Sequence, residues 1–477
     1  MKNMTLKKSL WRLFTFPLLL VLIFVVAGCF SSTPPPASVL HADTYTAVAS
    51  KDERTLPVVD KVLTVEDAVR IGLANSPTYE LAKLAIDSAY NEFYQTLFNY
   101  LPTASVTAGG LGGIEQTQVI SRGDSRWGSS TSLSSPNLAA EGTFTIFSGL
   151  SRELNLLASY EGLKDTKQAL KFSRLSLIKQ ITNLYYELVL HKAKIAIDEA
   201  NLSFQEEMLE NTRYRYKNNL VTYDYVLNFE FAYKFFQARL VDERRELKTN
   251  EYALAALLGL TTAELPKNTK YQSIDELIKN LKHEYSSLGV EFYLDLAIDQ
   301  RPDLKQIRFA LKKLRFGLYA AWGAFSPTIS ATASYGLTTA DWEYTNQDFG
   351  YGIGINWNIV DSGFSRIFNV RKAQIEVAKG KLNVLKTWIK AVKEVRTAYL
   401  DLQAYMRQEE LETEAVKIAE RQREMVKVKY ENQLESISRL NQVQYALVDA
   451  QLDRATAIIN VYKSKTNLNF ACGIQRY

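Results

Sequence analysis

Residues 349–359 read FGYGIGINWNI, and their large apolar side chains alternate strictly with small or polar ones. Because successive side chains of a β-strand point to opposite faces, the large residues all share one face. They are Phe349, Tyr351, Ile353, Ile355, Trp357 and Ile359. A strand of a soluble sandwich also alternates, but Gly and Asn on its second face would pack a core poorly and suit a water-filled lumen. The pattern favours a transmembrane strand between lipid and water.

This strand belongs to a unit that occurs twice in the chain. Each copy is marked by two prolines 25 residues apart: Pro77 and Pro102, then Pro302 and Pro327. An SGxSR motif follows in each copy, at 148–152 and 362–366, and the register then holds without a gap to Gly259 and Gly473. A duplication of this extent predicts internal pseudo-symmetry, which suits rings and channels better than single active sites.

Each copy is expected to supply two strands. They lie near 103–113 and 138–147 in the first copy, and near 328–338 and 349–360 in the second. In the first copy, Phe144 and Ile146 match the face of Trp357 only if the chain slips by one residue before Ser148. Four strands cannot close a barrel around a pore, and lipid does not tolerate an open sheet edge. The strands must therefore close with other copies, which predicts an obligate oligomer.

The rest of each copy has helical periodicity. Two helices are expected first, over 63–74 with Thr64 as its cap, and over about 78–100. Apolar residues then recur every seven positions over 181–216 and 226–254, on either side of a turn near 218–222. Such heptads predict long antiparallel helices packed knobs-into-holes. A helix from Arg152 to Asn218 would be about 100 Å long at 1.5 Å per residue.

The N-terminus has the pattern of a bacterial lipoprotein signal. Basic residues precede an apolar run, Leu18–Ala27, which is too short to span a bilayer because spanning takes about 20 residues. Val26-Ala27-Gly28-Cys29 resembles a lipobox, whose cysteine would be acylated and become the mature N-terminus. An ordinary signal peptide with an incidental cysteine is the alternative. Phe30 and Ser31, rather than aspartate, follow Cys29, which favours sorting to the outer membrane.

Composition argues against several classes of function. The net charge is +5, and removal of residues 1–28 takes away four positive charges, so the mature chain carries +1 and does not favour nucleic acid. Cys472 is the only cysteine besides Cys29, which excludes a disulfide framework. The three histidines have no ligand spacing, and His191 is expected to be a hydrogen-bonded packing residue. No nucleotide or hydrolase motif occurs, so we expect no enzyme, cofactor or metal.

Together these features resemble the TolC family of outer membrane efflux proteins, in its lipoprotein branch. LTVEDAVRIGLANSP at Leu63–Pro77 resembles the opening helix of that family, and the helix–LP–strand unit, strand–SG–helix junctions and terminal glycines match over about residues 60–473. The resemblance implies a homotrimer whose chains, with four strands each, build one twelve-stranded barrel continued by a twelve-helix tunnel. It also implies two partners: a periplasmic adaptor protein and an inner-membrane pump of resistance-nodulation-division or ABC type.

The expected fold is thus mainly helical with membrane β-strands, built from tandem long hairpins. The expected division is a signal peptide (1–28), a lipidated tether (29–60), a first repeat (61–259), a linker (260–290), a second repeat (291–473) and a tail (474–477). The linker has a short helix expected at Ile274–His283, which is expected to pack around the waist of the tunnel.

The resemblance also points to a tunnel tip. The family carries an aromatic residue there, a glycine three positions later and an aspartate nine positions later. The matching residues are Tyr216, Asn219 and Tyr225 in the first copy, beside Asp224, and Tyr430, Gln433 and Arg439 in the second. Asn219 tolerates a left-handed backbone at low cost and Gln433 less easily. Three copies of Arg439 at a constriction would favour anions unless Asp224 or nearby glutamates pair with them; the alternative is a surface or interhelix ion pair.

The expected function is a passive exit duct in the outer membrane, lipid-anchored and extending into the periplasm. Substrates would arrive from an inner-membrane transporter and its adaptor, in an efflux or a type I secretion system. Two other classes remain open at this point: a periplasmic adaptor, or a structural coiled-coil lipoprotein of the envelope without a pore. An adaptor should show one helical hairpin flanked by lipoyl-like β segments rather than two hairpins with barrel strands.

Overall fold

A computed structural model describes residues 62–109, 137–266, 269–280, 289–340, 344–357 and 365–474. All of them lie in one compact unit, Thr55–Tyr477. Cys29, the signal peptide and the tether lie outside the described residues.

The described elements, in chain order, are β1 (Val62–Leu63), α1 (Val65–Asn75), α2 (Pro77–Phe98), β2 (Thr103–Gly109), β3 (Asn137–Ser148), α3 (Ser151–Lys217), α4 (Tyr223–Leu257), β4 (Lys270–Tyr271), α5 (Ile274–Asn280), α6 (Val290–Gln300), α7 (Pro302–Gly323), β5 (Thr328–Ala340), β6 (Tyr344–Asn356), α8 (Ser365–Glu431) and α9 (Ile437–Cys472). Thr64 caps α1 as expected, since its hydroxyl accepts the Asp67 backbone N–H at 3.2 Å. None of the described helices is both long and apolar enough to cross a membrane.

Four strands form one antiparallel sheet in the order β2-β3-β5-β6, so the two copies meet between β3 and β5. The slip expected in the first copy is confirmed. Pairing with β5 shifts between Thr145 and Phe147, which leaves Ile146 as the extra residue of a β-bulge. Among the described residues, β2 and β6 each pair on one side only, so both outer edges of the sheet are open.

The helices beneath the sheet lie side by side in the same order as the strands they join: α2, α3, α7, α8. The Phe93 and Tyr160 rings, 6.0 Å apart, connect α2 to α3. Lys313 of α7 lies against Gly162 of α3, and leucines of α7 lie against Gly380 of α8. Further from the sheet, α4 runs antiparallel to α3, and α9 runs antiparallel to α8, with α9 also against α3.

Two of these helical columns are composite. Gly259, at φ 74°, follows α4 and lies against the Asn75 backbone, where α1 ends and α2 begins. Gly473, at φ 76°, follows α9 and lies against Arg301, directly before α7. A side chain would clash with the facing backbone in both places. By contrast, α3 and α8 are unbroken for 67 residues each, or about 100 Å.

The linker packs at the level of these breaks. The Tyr185 hydroxyl of α3 donates to Leu63 O at 2.6 Å and accepts from Gln272 N at 3.2 Å, which fixes the paired strands β1 and β4. Burial raises the pKa of Tyr185 to about 12. The Tyr462 hydroxyl of α9 donates to Leu277 O of α5 at 2.6 Å. The helix expected at Ile274–His283 is present as α5; residues 281–288 lie outside the described residues.

Candidate functional site

The four-stranded sheet has one apolar face, exposed across its full width. Directly opposed residues of an antiparallel sheet share a face. Ile353 lies opposite Ala331, which lies opposite Phe144, so the alternation of β6 extends to β3. Tyr351, Ile353 and Ile355 are 72–83 % exposed. An exposed apolar surface this continuous needs lipid or another apolar surface against it.

The second face of the sheet is polar. Its residues are small, hydroxylic or charged: Thr103, Ser105, Thr107, Glu141, Thr143, Ser330, Thr332, Ser334, Asp348, Gly350, Gly352 and Gly354. No described lysine or arginine lies in these strands. A sheet with apolar residues on its outer face and polar residues on its inner face has the arrangement of a barrel wall around water.

The hairpin tips adopt the same backbone in both copies. Asn219 has φ 58°, and Gln433 has φ 60° despite its β-carbon. The turn at Gln433 is fixed by hydrogen bonds from its own N to Tyr430 O (3.0 Å) and from Leu434 N to Lys429 O (2.8 Å). These close the end of α8 with the left-handed geometry that glycine usually supplies.

The two tips are joined by polar contacts between the hairpins. The Arg215 guanidinium at the end of α3 lies 5.6 Å from the centre of the Tyr430 ring at the end of α8. Further along, the Gln444 amide of α9 donates to Asn201 Oδ1 of α3 at 2.8 Å. These polar contacts lie beside an apolar core that both hairpins share, so separation of the tips would expose apolar as well as polar groups.

Residues 293–473 match the family model described as "Outer membrane efflux protein". The C-terminal part of the chain is thus similar to that family. A curated relative, the toluene efflux pump outer membrane protein TtgC of Pseudomonas putida, is 23% identical over 419 residues, which cover 84% of this chain and 82% of the relative.

Solved structures share the fold of this chain. The Campylobacter jejuni CmeC outer membrane channel matches with a TM-score of 0.76 at 18% identity, covering 86% of this chain and 85% of that one. The outer membrane protein VceC of Vibrio cholerae matches with a TM-score of 0.73 at 17% identity, covering 86% and 96%. Both confirm the expected architecture of tandem helical hairpins with a few strands.

The remaining candidate tip residues are distributed around the turns. The Tyr216 and Tyr223 rings pack in a tilted arrangement within the first hairpin, with their centres 5.4 Å apart. Tyr225 and Tyr430 are half-buried against the apolar core of the tip. That core comprises Met208, Leu209, Val226, Phe229, Val426, Ile437, Leu440 and Val443. The aromatic residues of the motif thus hold the tip together.

Arg439 forms neither of the ion pairs considered from the sequence. Its guanidinium donates to Gln442 Oε1 at 2.7 Å, one turn along the same helix, and it has no ion pair with any described residue. Asp224 instead accepts a hydrogen bond from the Thr222 hydroxyl at the start of α4. The charge of Arg439 is therefore left uncompensated by Asp224, and its role at the tip stays a prediction.

A polar seam lies between α3 and α4, which the heptad spacing of apolar residues did not predict. His191 and Asp198, seven residues apart, occupy the seam; His191 Nδ1 lies 2.7 Å from a Glu243 oxygen, and Arg239 Nε donates to the Asp198 carboxylate at 3.0 Å. His191 is hydrogen-bonded, as expected. This seam could have been found from the sequence, because His191 and Asp198 are polar residues at heptad spacing in α3, and α4 carries the charged pair Arg239 and Glu243, four residues apart. Across the described residues, no cluster of His, Cys, Asp or Glu could hold a metal ion.

Proposed function

We propose that this chain is the outer membrane channel of a tripartite efflux pump, a passive duct through which substrates leave the cell. The observation that carries the proposal is the amphipathic sheet with two open edges, continued by unbroken helices about 100 Å long. One end matches a membrane wall, and the other can cross much of a periplasm. We assign no catalytic step to the chain, so the partner pump would supply the energy.

Ring closure follows from the open edges. Pairing the β6 edge of one copy with the β2 edge of the next removes every open edge only if the ring closes. Two copies would give eight strands, and a barrel that small is filled by its own side chains. Three copies give twelve strands and leave a lumen, which supports the homotrimer.

The helical layer has matching open edges. On one side α8 exposes apolar residues at heptad spacing: Phe368, Ile375, Leu382 and Ile389, then Leu411, Ile418 and Met425. On the other side α4 exposes Tyr223, Leu227 and Phe231, four residues apart. The buried residues of α8, such as Val377 and Val395, face its own chain. We propose that the α8 stripe of one copy packs on α4 and α2 of the next.

This packing can be tested by cysteine crosslinking. Met425 lies about 9 Å above the end of α8, between the heights of Leu227 and Phe231, which lie about 6 and 12 Å above the start of α4. A chain carrying Met425→Cys with Leu227→Cys or Phe231→Cys should form disulfide-linked species up to three chains on a non-reducing gel. The control pair, Met425→Cys with Tyr252→Cys, is separated by about 35 Å along the axis and should stay monomeric. Equal crosslinking of both pairs would contradict the arrangement.

Conductance tests the duct itself. The full-length protein in planar bilayers should give discrete conductance steps, and deletion of its gene should raise accumulation of dyes or drugs. A structural envelope lipoprotein would give no steps. A periplasmic adaptor would not fractionate with the outer membrane as a stable oligomer. Wild-type protein that inserts but never conducts would overturn the proposal.

The partners and cargo follow from the relatives. TtgC is named as part of a toluene efflux pump, and ArpC of Pseudomonas putida as part of an antibiotic efflux pump. We propose that this chain likewise exports small organic molecules, with a periplasmic adaptor and an inner-membrane pump.

We also propose acylation of Cys29, removal of residues 1–28 and division into two repeats at 61–259 and 291–473. Mass spectrometry of the mature N-terminus tests the acylation and the removal of residues 1–28.

The contact between Arg215 and Tyr430 predicts how the tip opens. Arg215→Ala removes a cation–π contact between the hairpins, worth about 0.5–1 kcal/mol at an exposed site, or roughly two- to fivefold in the closed-to-open ratio. The fraction of time spent open in planar bilayers should rise by that factor. Arg213→Ala is the control, because Arg213 pairs with Glu230 of the same hairpin at 3.6 Å. An equal rise in both variants would show that lost charge, not the contact, is responsible.

A further inference from the structure

Three exposed aromatic side chains, here called the collar, lie where α7 and β6 meet: Trp322 near the end of α7, Phe325 just after it and Trp357 just after β6. Trp357 continues the outward apolar alternation of β6, and its Nε1 donates to Phe325 O at 3.1 Å. The Trp322 and Phe325 rings are 5.9 Å apart. The collar therefore lies on the outward, apolar side of the sheet. Aromatic side chains concentrate where a membrane meets water.

Directly below the collar, the same face of α7 is basic. Arg308, Lys312 and Arg315, here called the basic stripe, precede Trp322 by 14, 10 and 7 residues, which is the spacing of one helical face. Lys313 lies on the opposite side of α7, against α3, and Leu314 lies against α8, whereas Arg308, Lys312 and Arg315 are exposed. The basic stripe thus points away from the chain, on the collar side.

No residue in the described part of the chain forms an ion pair with the basic stripe. Helix α7 has five lysines and arginines and a single carboxylate, Asp303, which is bound by Arg301 at 2.6 Å. Arg308 and Arg315 form no ion pair with any described residue, and Lys312 only approaches the Phe309 ring at 5.6 Å. The positive charge is concentrated just below the membrane although the mature chain as a whole is nearly neutral.

We infer that the membrane-proximal end of the basic stripe, Arg315 and to a lesser extent Lys312, attracts anionic phospholipid headgroups of the inner leaflet of the outer membrane, an inference that rests on the proposed function because it places the sheet in that membrane. The contact is continuous with the lipid-facing side of the sheet, and its charge is complementary to phosphatidylglycerol. It would fix the depth at which the barrel sits, with the collar at the hydrocarbon boundary and the basic stripe beneath it.

Distances decide which residues contribute. At 1.5 Å per residue, Arg315 lies about 10 Å, Lys312 about 15 Å and Arg308 about 21 Å below Trp322. The headgroup layer is about 5–8 Å thick, and the field of anionic lipids decays within about 8–10 Å at physiological salt. Arg315 therefore lies well inside the attractive zone, Lys312 at its limit and Arg308 beyond it. Arg308 is a matched control on the same helical face.

The test uses the full-length protein in phosphatidylcholine vesicles containing brominated phosphatidylglycerol or brominated phosphatidylcholine. Bromine quenches nearby tryptophan fluorescence, and Trp322→Phe identifies the collar signal. Wild-type protein should prefer phosphatidylglycerol severalfold at low salt and lose that preference at 0.5 M NaCl. Arg315→Gln should weaken the preference about fivefold, as expected for one basic group near the surface, and Arg315→Lys should restore most of it. Arg308→Gln should change it less than twofold.

Several outcomes would overturn the inference. Equal quenching of the wild-type protein by both brominated lipids would contradict the inference. An equal loss of the phosphatidylglycerol preference in Arg308→Gln and Arg315→Gln would also contradict it. No lipid preference combined with reduced sedimentation of Arg315→Gln with purified peptidoglycan would assign the stripe to the cell wall instead. Conductance in neutral bilayers separates the two proposals. If the wild-type protein gives conductance steps but shows no lipid preference, the channel proposal holds and the lipid contact is refuted. If it shows lipid preference but no conductance steps, only the lipid contact holds.

Discussion

Ile353→Arg is expected to abolish assembly of the protein in the outer membrane. Ile353 is 73 % exposed on the apolar face of the sheet, in the third of four consecutive apolar-face positions of β6. An arginine on the lipid-facing side near the midplane costs about 2–4 kcal/mol per chain, so three chains would lose about 6–12 kcal/mol. The measurement is the amount of heat-modifiable oligomer in outer membrane fractions, together with dye accumulation in intact cells.

The neighbouring residue provides the control. Gly352 lies on the polar face, and a β-carbon there would meet nothing within 4 Å. Gly352→Arg therefore places the same side chain in the lumen, where assembly should be retained and conductance altered. If Gly352→Arg blocked assembly while Ile353→Arg did not, the two faces of the sheet would be assigned the wrong way round.

Arg301→Leu is expected to destabilise the helical part by about 1–3 kcal/mol, because its carboxylate partners Asp303 and Glu394 lose their hydrogen bonds but are partly screened by water. The Arg301 side chain is only 3 % exposed and donates to Asp303 at 2.6 Å, to Glu394 of α8 at 2.8 Å and to Ala471 O of α9 at 3.0 Å. One guanidinium thus joins α7, α8 and α9 where the composite column is broken. The measurement is the midpoint of thermal unfolding followed by circular dichroism at 222 nm.

The duplication supplies the control for Arg301. Ser76 occupies the equivalent place before Pro77, is buried, and makes no capping hydrogen bond with its side chain. Ser76→Ala should leave the unfolding midpoint within about 0.5 kcal/mol of wild type, since no polar partner is abandoned. A midpoint for Arg301→Leu equal to that of Ser76→Ala would show that the cluster contributes nothing net.

The sheet could be predicted in detail because each of its determinants is local. Period-2 alternation assigned the faces, and the offset between the copies demanded the slip that appears as the bulge at Ile146. The left-handed turn at Gln433 is different, because propensity argues against it. There the hydrogen bonds that close the end of α8 override the preference of one residue.

The polar interior could not be predicted, because it depends on which helices meet. Asp198 is fully buried, and only the approach of Arg239 from α4 makes that position acceptable. Arg301 likewise precedes a proline in the sequence without any sign that Glu394, 93 residues later, completes its site. The contact between Arg215 and Tyr430 requires both hairpin tips at the same height. Pairing across long sequence distances carries no periodic signal.

The two glycine breaks also have a mechanical consequence. Gly259 follows Leu258, which contacts Gly72 of α1, and Gly72 also packs on Ile181 of α3. Arg301 binds Glu394, next to Val395, the residue equivalent to Ile181 in the second copy. Counted along α2 and α7 or along α3 and α8, both breaks fall at one height, about 33–45 Å below the sheet. In a tube built from these columns, every second column is interrupted at the same level, while α3 and α8 run through it. We expect such a tube to resist compression along its axis and to twist more easily at that level. Twist applied at the tips can be absorbed at this joint before it reaches the membrane-embedded strands.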